Sequence, residues 1–150
     1  MLMLIFNVEN NRYCCNCDLI IEIIPKIPLI LVPHTPDYIV GVLNYGGDSV
    51  PVMDFSTILV GHPSKNSMHT RMILLRYPIK NDRIKIVGLI AENIVEVRDI
   101  DPKLFNAGGL HIPNFTFLNG MYNSQNESIQ WVNLDQLFLS LPLIHNDVKT

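Results

Sequence analysis

The sequence predicts a mainly β fold, a barrel or a sandwich, from three observations. Short apolar runs rich in β-branched and aromatic residues recur at roughly one per ten residues, with turn chemistry between them. The central stretch reads as a hairpin: an apolar strand Tyr38 to Tyr45, a turn Gly46-Gly47-Asp48, and a second apolar strand Val50 to Phe55. Paired glycines supply the positive φ of a tight turn. Helical spacing over a longer stretch is confined to the end of the chain.

In chain order, Leu2 to Val8 is a strand, Glu9-Asn10-Asn11-Arg12 a turn, and Tyr13 to Cys17 the returning strand. Asn tolerates the left-handed conformation such a turn needs. Asp18 to Lys26 is a strand with one carboxylate, Glu22, that either faces water or is aimed at a protein contact. Leu29 to Val32 is a short strand, ended by Pro33-His34-Thr35-Pro36, because proline lacks an N–H and biases its predecessor toward extended chain. The central hairpin follows, with apolar residues at consecutive positions that predict burial on both faces.

Ser56 to Val60 reads as a short helix with Ser56 as N-cap, and Gly61 to Thr70 as a polar loop. Strands Arg71 to Tyr77 and Ile84 to Ala91 flank a turn, Lys80-Asn81-Asp82-Arg83. Glu92 and Glu96 share a face if the chain there is extended, which predicts an acidic edge. Asp101 to Asn114 is loop, and Phe115 to Met121 pairs with Ser128 to Val132. Asn133 or Asp135 caps a closing helix whose apolar residues are Leu134, Leu137, Phe138 and Leu141. Leu139, off that face, predicts a helix clasped on more than one side. Pro142 stops it, and Leu143 to Thr150 is read as frayed.

Apolar residues make up 48% of the chain, enough for a real core, and charged residues 17%, below the usual ~25%. A surface so poor in charge predicts coverage by partners. The net charge of −3, with no basic cluster, excludes nucleic acid as a partner. Met1 to Phe6 lacks the cationic start of a secretory signal, and Leu19 to Val32 is interrupted by Glu22, Pro25, Lys26 and Pro28. The reading is a soluble cytoplasmic protein with no direct membrane insertion.

No constellation of residues predicts catalysis. Cys14, Cys15 and Cys17 are too crowded for a disulfide framework and lack a second pair or nearby His for a metal, so they read as small hydrophobes. His62 and His69 share a polar loop without carboxylate support, while His34, His111 and His145 lie in loops or the tail. Asp54 has no visible partner for general-base work and reads as a cap or an acceptor for backbone donors. The chain is read as a non-enzyme without a cofactor. A small β-barrel metal protein using the cysteines and loop histidines is kept as an alternative.

Pro36-x-Tyr38-Ile39-x-Gly41-Val42-x-Asn44-x-x-Gly47, followed by Val50-Pro51-Val52-x-Asp54-Phe55, resembles the central signature of the CheW chemotaxis adaptors. Ile20, Glu22 and Ile23 match the family's Val-x-Glu-Ile-Ile element. Gly88 to Val97 resembles its second signature, with Glu92 in place of the usual Asp, and Phe117-Leu118-Asn119-Gly120 stands where the family carries a late Tyr-x-x-Gly. The resemblance runs from about Leu4 to Leu137. It implies one CheW-like domain over residues 1–150, built as two intertwined, small SH3-like five-stranded β-barrels packed together, with short helices including one near the C-terminus.

The resemblance also implies a function: a scaffold bridging the cytoplasmic tip of a methyl-accepting chemoreceptor and the regulatory domain of a CheA-type histidine kinase. It would associate with the membrane through receptor arrays. An adaptor of the same fold in surface sensing or pilus motility is the neighbouring alternative. In the family, receptor contact is associated with the groove between barrels, and kinase contact with apolar barrel ends. The matching positions for protein binding are Ile20, Glu22, Ile23, Val40, Gly41, Asn44, Gly46 and Gly47. Gly41, lacking a Cβ, would admit a partner helix closely. Asn44 either contacts the partner or satisfies turn backbone groups. Gly46 stands where the family usually has Arg.

Overall fold

Among the described residues, ten strands form two five-stranded sheets, one in each of two units. The computed structural model describes residues 1–79, 83–106 and 117–141. The first unit comprises residues 1–18 with those from 95 onward, and the second comprises residues 19–94. The expectation of a mainly β fold with two five-stranded sheets and few short helices holds.

In the first unit, β1 (Leu2–Val8) pairs antiparallel with β2 (Asn11–Asn16). The tight connection places Glu9, not an asparagine, at positive φ (55°). The strand order of this sheet is β8-β1-β2-β10-β9, where β8 is Asn93–Asp99, β9 Leu118–Asn123 and β10 Ser128–Val132. Met3, Ile5, Cys14, Ile100 and Ile129 form its core, with Phe105 and Trp131 packed on it at a ring separation of 5.1 Å. Asn133 caps α2 (Leu134–Ser140), its side-chain oxygen accepting the Gln136 N–H at 3.2 Å, as its position before the apolar stripe predicts. Leu134, Leu137 and Phe138 are buried, whereas Leu139 is 58% exposed. The helix therefore buries one face, and the expectation of a clasp on several sides is corrected.

A charge network links the outer part of this sheet to a hairpin turn. The Arg12 guanidinium donates to Glu127 at 2.7 Å, Arg98 also donates to Glu127, and Arg98 reaches Glu96 at 2.7 Å. The Arg98 hydrogen bond holds the Glu127 carboxyl below its ordinary range; burial opposes it and Arg12 reinforces it. A depressed carboxylate stabilises the fold above the unfolded pKa and loses that contribution as pH falls through the folded one. Glu127→Gln is expected to lower stability by about 1 kcal/mol near neutrality. Its difference from wild type should shrink as pH drops from roughly 6 to 3 in thermal melts. A difference independent of pH would show that the charge contributes nothing.

The second unit has strand order β3-β6-β7-β5-β4, with β3 Ile20–Pro25, β4 Ile39–Tyr45, β5 Asp48–Asp54, β6 Arg71–Ile79 and β7 Arg83–Ala91. Leu43, Val50, Val52, Met72, Leu74 and Ile90 form its core. The central hairpin closes as predicted: Tyr45 pairs with Asp48 across Gly46 (φ 58°) and Gly47 (φ 92°). The Tyr45 hydroxyl on β4 meets the Glu22 carboxylate on β3, and these are the two outer strands, so the sheet is rolled rather than flat.

Four local expectations change. Leu29 to Val32 is not a strand, because only Ile30 bridges β4, at Val42. Pro28 and Pro33 on either side limit further pairing. The helix α1 (Phe55–Val60) starts one residue early, with Asp54 rather than Ser56 at the N-cap position. The chain bends at Glu92, so Glu92 and Glu96 form no common edge; Glu92 accepts the Lys65 N–H at 3.0 Å and Glu96 pairs with Arg98. The second strand of the last hairpin runs as expected, but Phe117 lies in a turn before the first, which continues past Met121 to Asn123. The expectations for Lys80 to Asp82, for the loop beyond Asn106 and the start of the strand at Phe115, and for the tail from Pro142 lie outside the described residues.

Candidate functional site

The candidate positions all fall on β3, β4 and the hairpin turn of the second unit. Ile20 is half-buried at the start of β3, and Glu22 and Ile23 are exposed on it. A register shift lies between Ile20 and Glu22, and β3 is an outer strand of its sheet. Glu22 faces Tyr45. Partial burial first, then the hydrogen bond and charge of Glu22, keep the Tyr45 proton on and raise its pKa. The carboxylate is therefore engaged within the sheet as well as open to solvent.

On β4, Val40 packs against the unit's core, and Gly41 is buried at φ 154°, a conformation side-chain-bearing residues avoid. A Cβ on Gly41 would lie 2.8 Å from the Ile30 carbonyl oxygen and 2.8 Å from the Leu29 Cβ. Asn44 is exposed, and its Oδ1 accepts the Gly47 N–H at 3.2 Å, so it staples the turn from within. Around Gly46 and Gly47 the space for a side chain is open. The structure thus brings Glu22, Tyr45, Asn44 and the glycine turn together, while Gly41 is buried and Val40 half-buried.

Sequence reasoning missed the segment that follows β3. Ile30 is 64% exposed and Leu31 81%, with Ile27 and Val32 also exposed. Contiguous exposed apolar side chains mark interaction surfaces. The run has strand composition, and the flanking prolines alone hint that it does not pair. The segment also walls an open cleft of ≈ 240 Å³, with Val40, Asp54, Ser64 and Ile90 on the other sides.

Nothing in that cleft assembles acid–base chemistry. Asp54 accepts from Thr57 Oγ1 at 2.9 Å, from the Ser64 N–H at 2.7 Å, and from Ser64 Oγ. Its partners are hydroxyls and an amide, which clamp the loop to the sheet. Burial pushes the Cys14 thiol up to about 12, against a smaller opposing effect of Arg98, and burial also raises Cys15 and Cys17. Such thiols stay protonated and pack as hydrophobes. Among the described residues no three His, Cys, Asp or Glu side chains gather as a metal site. No helix among them is long and apolar enough to cross a membrane.

The family model described as the CheW-like domain matches residues 2–141. The chain belongs to the CheW-like family. It is 27% identical over 143 residues to the chemotaxis protein CheW of Rhizobium meliloti (strain 1021), covering 92% of this chain and 87% of that one. The chemotaxis protein CheW of Helicobacter pylori (strain ATCC 700392 / 26695) is 28% identical over 102 residues, 65% of this chain and 59% of its own. The crystal structure of the scaffolding protein TtCheW from Thermoanaerobacter tengcongensis superposes with a TM-score of 0.74 at 22% identity, covering 91% of this chain and 86% of that chain, which is agreement in fold. CheW-like proteins are non-enzymatic scaffolds of the chemotaxis coupling type, and this chain is one of them.

Proposed function

We propose that this CheW-like scaffold acts in the cytoplasm, within receptor arrays, by holding a chemoreceptor cytoplasmic tip and the regulatory domain of a CheA-type histidine kinase at the same time. The observation that carries this reading is the placement of Glu22, Ile23, Asn44, Gly46 and Gly47 on the outer strands and turn of one rolled sheet, beside an exposed apolar segment. Ile20 and Val40, both half-buried, and the buried Gly41 belong to the same two strands. The scaffold works by geometry, so its output depends on two faces being occupied together. Co-purification with a two-domain histidine kinase tests the reading. Recovery with a kinase of surface sensing or pilus motility instead would move the protein to that pathway.

Gly46 favours a divergent receptor partner. The usual Arg supplies a planar fork of donors and a fixed charge, and losing a charge-assisted contact costs roughly 1.5–3 kcal/mol of binding. Gly46→Arg is expected to strengthen association with a standard chemoreceptor tip. The open space at Gly46 admits the side chain. Its φ of 58° makes the variant less stable by roughly 1 kcal/mol. Isothermal titration of both proteins checks this, and equal or weaker binding by the arginine variant defeats it.

A further inference from the structure

We propose that Gly41 is a positioning residue for partner association: it holds the Pro28–Val32 strap against β4 and does not itself touch the partner. This deepens the adaptor reading and rests on it for the binding half. The resemblance alone places a partner helix against Gly41. In the structure, the chain's own strap occupies that place. Gly41 is buried, and a Cβ there would meet the Ile30 carbonyl oxygen and the Leu29 Cβ, each at 2.8 Å. Real Cβ atoms do not approach backbone that closely, so the strap would have to lift.

The strap is otherwise lightly held. Its backbone is tied to β4 by two bonds, Ile30 N–H to the Val42 carbonyl at 2.9 Å and Val42 N–H to the Ile30 carbonyl at 2.8 Å. Leu29 packs on the unit's core, while Ile30 and Leu31 point largely to solvent. A register shift in the hairpin lies between Ile39 and Gly41, immediately before the bridged Val42. Bulges of this kind re-aim or terminate pairing. One residue of strap pairing, one leucine anchor and one side-chain-free position therefore fix where the exposed apolar side chains stand. Removing the side-chain-free position moves all of them, although none of the exposed residues is altered.

The test uses Gly41→Ala and Ile30→Pro in the full chain. The second variant deletes the Ile30 N–H donor and leaves Gly41 intact. Amide hydrogen exchange at Val42 reads the strap. Titration against a chemoreceptor cytoplasmic-tip fragment and, separately, a kinase regulatory domain reads association. The expected result is loss of Val42 protection in both variants, with at least one probe bound about tenfold more weakly and exchange in β6 and β7 unchanged. If Gly41→Ala does not fold, Leu29→Ala, which trims the half-buried anchor and leaves the exposed side chains in place, is read with the same two measurements and decides. Weakened binding with Val42 still protected in Gly41→Ala would put Gly41 in contact with the partner and overturn the proposal. A released strap with unchanged binding would overturn it too. Wild-type protein that binds neither probe refutes the adaptor reading and removes the binding half with it. The exchange result then reports on the strap independently.

Discussion

Asp54→Ala is expected to lower stability by about 3–4 kcal/mol and to free the loop around Ser64. Asp54 is 1% exposed and accepts from two hydroxyls and one backbone amide. Hydrogen bonds to a charged acceptor contribute roughly 1.5–3 kcal/mol each, and donors left unpaired in a buried site carry a further cost. Because the three bonds share one carboxylate, they do not add. Asp54→Asn should fall between wild type and alanine. One amide oxygen still accepts, but the amide nitrogen now opposes donors. The Ser64 hydroxyl can turn to accept it, whereas the Ser64 backbone N–H cannot. Denaturant unfolding of the three proteins checks the order, with limited proteolysis reporting on the loop. A loss below about 1 kcal/mol for alanine would mean that the carboxylate is not the clamp.

The same residue shows where the sequence stops being informative. The sequence alone reads Asp54 as a cap or an acceptor, because a lone carboxylate after an apolar strand has no visible partner. Its partner Ser64 lies ten residues on, in a polar loop without periodicity. By contrast, Gly46-Gly47 between two β-branched runs specifies a two-residue turn locally, and the structure has both glycines at positive φ. Asn133 before an apolar helical stripe is equally local, and it caps as predicted.

Strand composition proved less decisive than strand pairing. Leu29 to Val32 and Leu2 to Val8 look alike in composition. The first makes one bridge and the second a full ladder, because pairing depends on which edge is within reach. The acidic pair Glu92 and Glu96 failed for a related reason. Face-sharing assumes an unbroken strand, and the bend at Glu92 breaks it. At the candidate site, the resemblance located β3, β4 and the turn. The contacts that shape them, Glu22 with Tyr45 and Gly41 with Ile30, join residues more than ten positions apart, and only the folded backbone brings them together.

Phe138→Ala should cost about 3–5 kcal/mol, while Leu139→Ala, one position away, should stay within about 0.5 kcal/mol. Phe138 is fully buried, and alanine there leaves a cavity that its neighbours fill only in part. Leu139 has more than half its surface in water, so trimming it removes little burial, and alanine's higher helix propensity offsets part of that. The comparison bears on how α2 is used. A helix gripped from several sides would make the two substitutions similarly costly. A helix with one buried stripe, capped by Asn133, makes them differ by most of a phenylalanine's burial. Melts of the two variants separate the cases. A Leu139→Ala loss above about 2 kcal/mol would restore the many-sided clasp and require a covering surface for Leu139 within the folded chain.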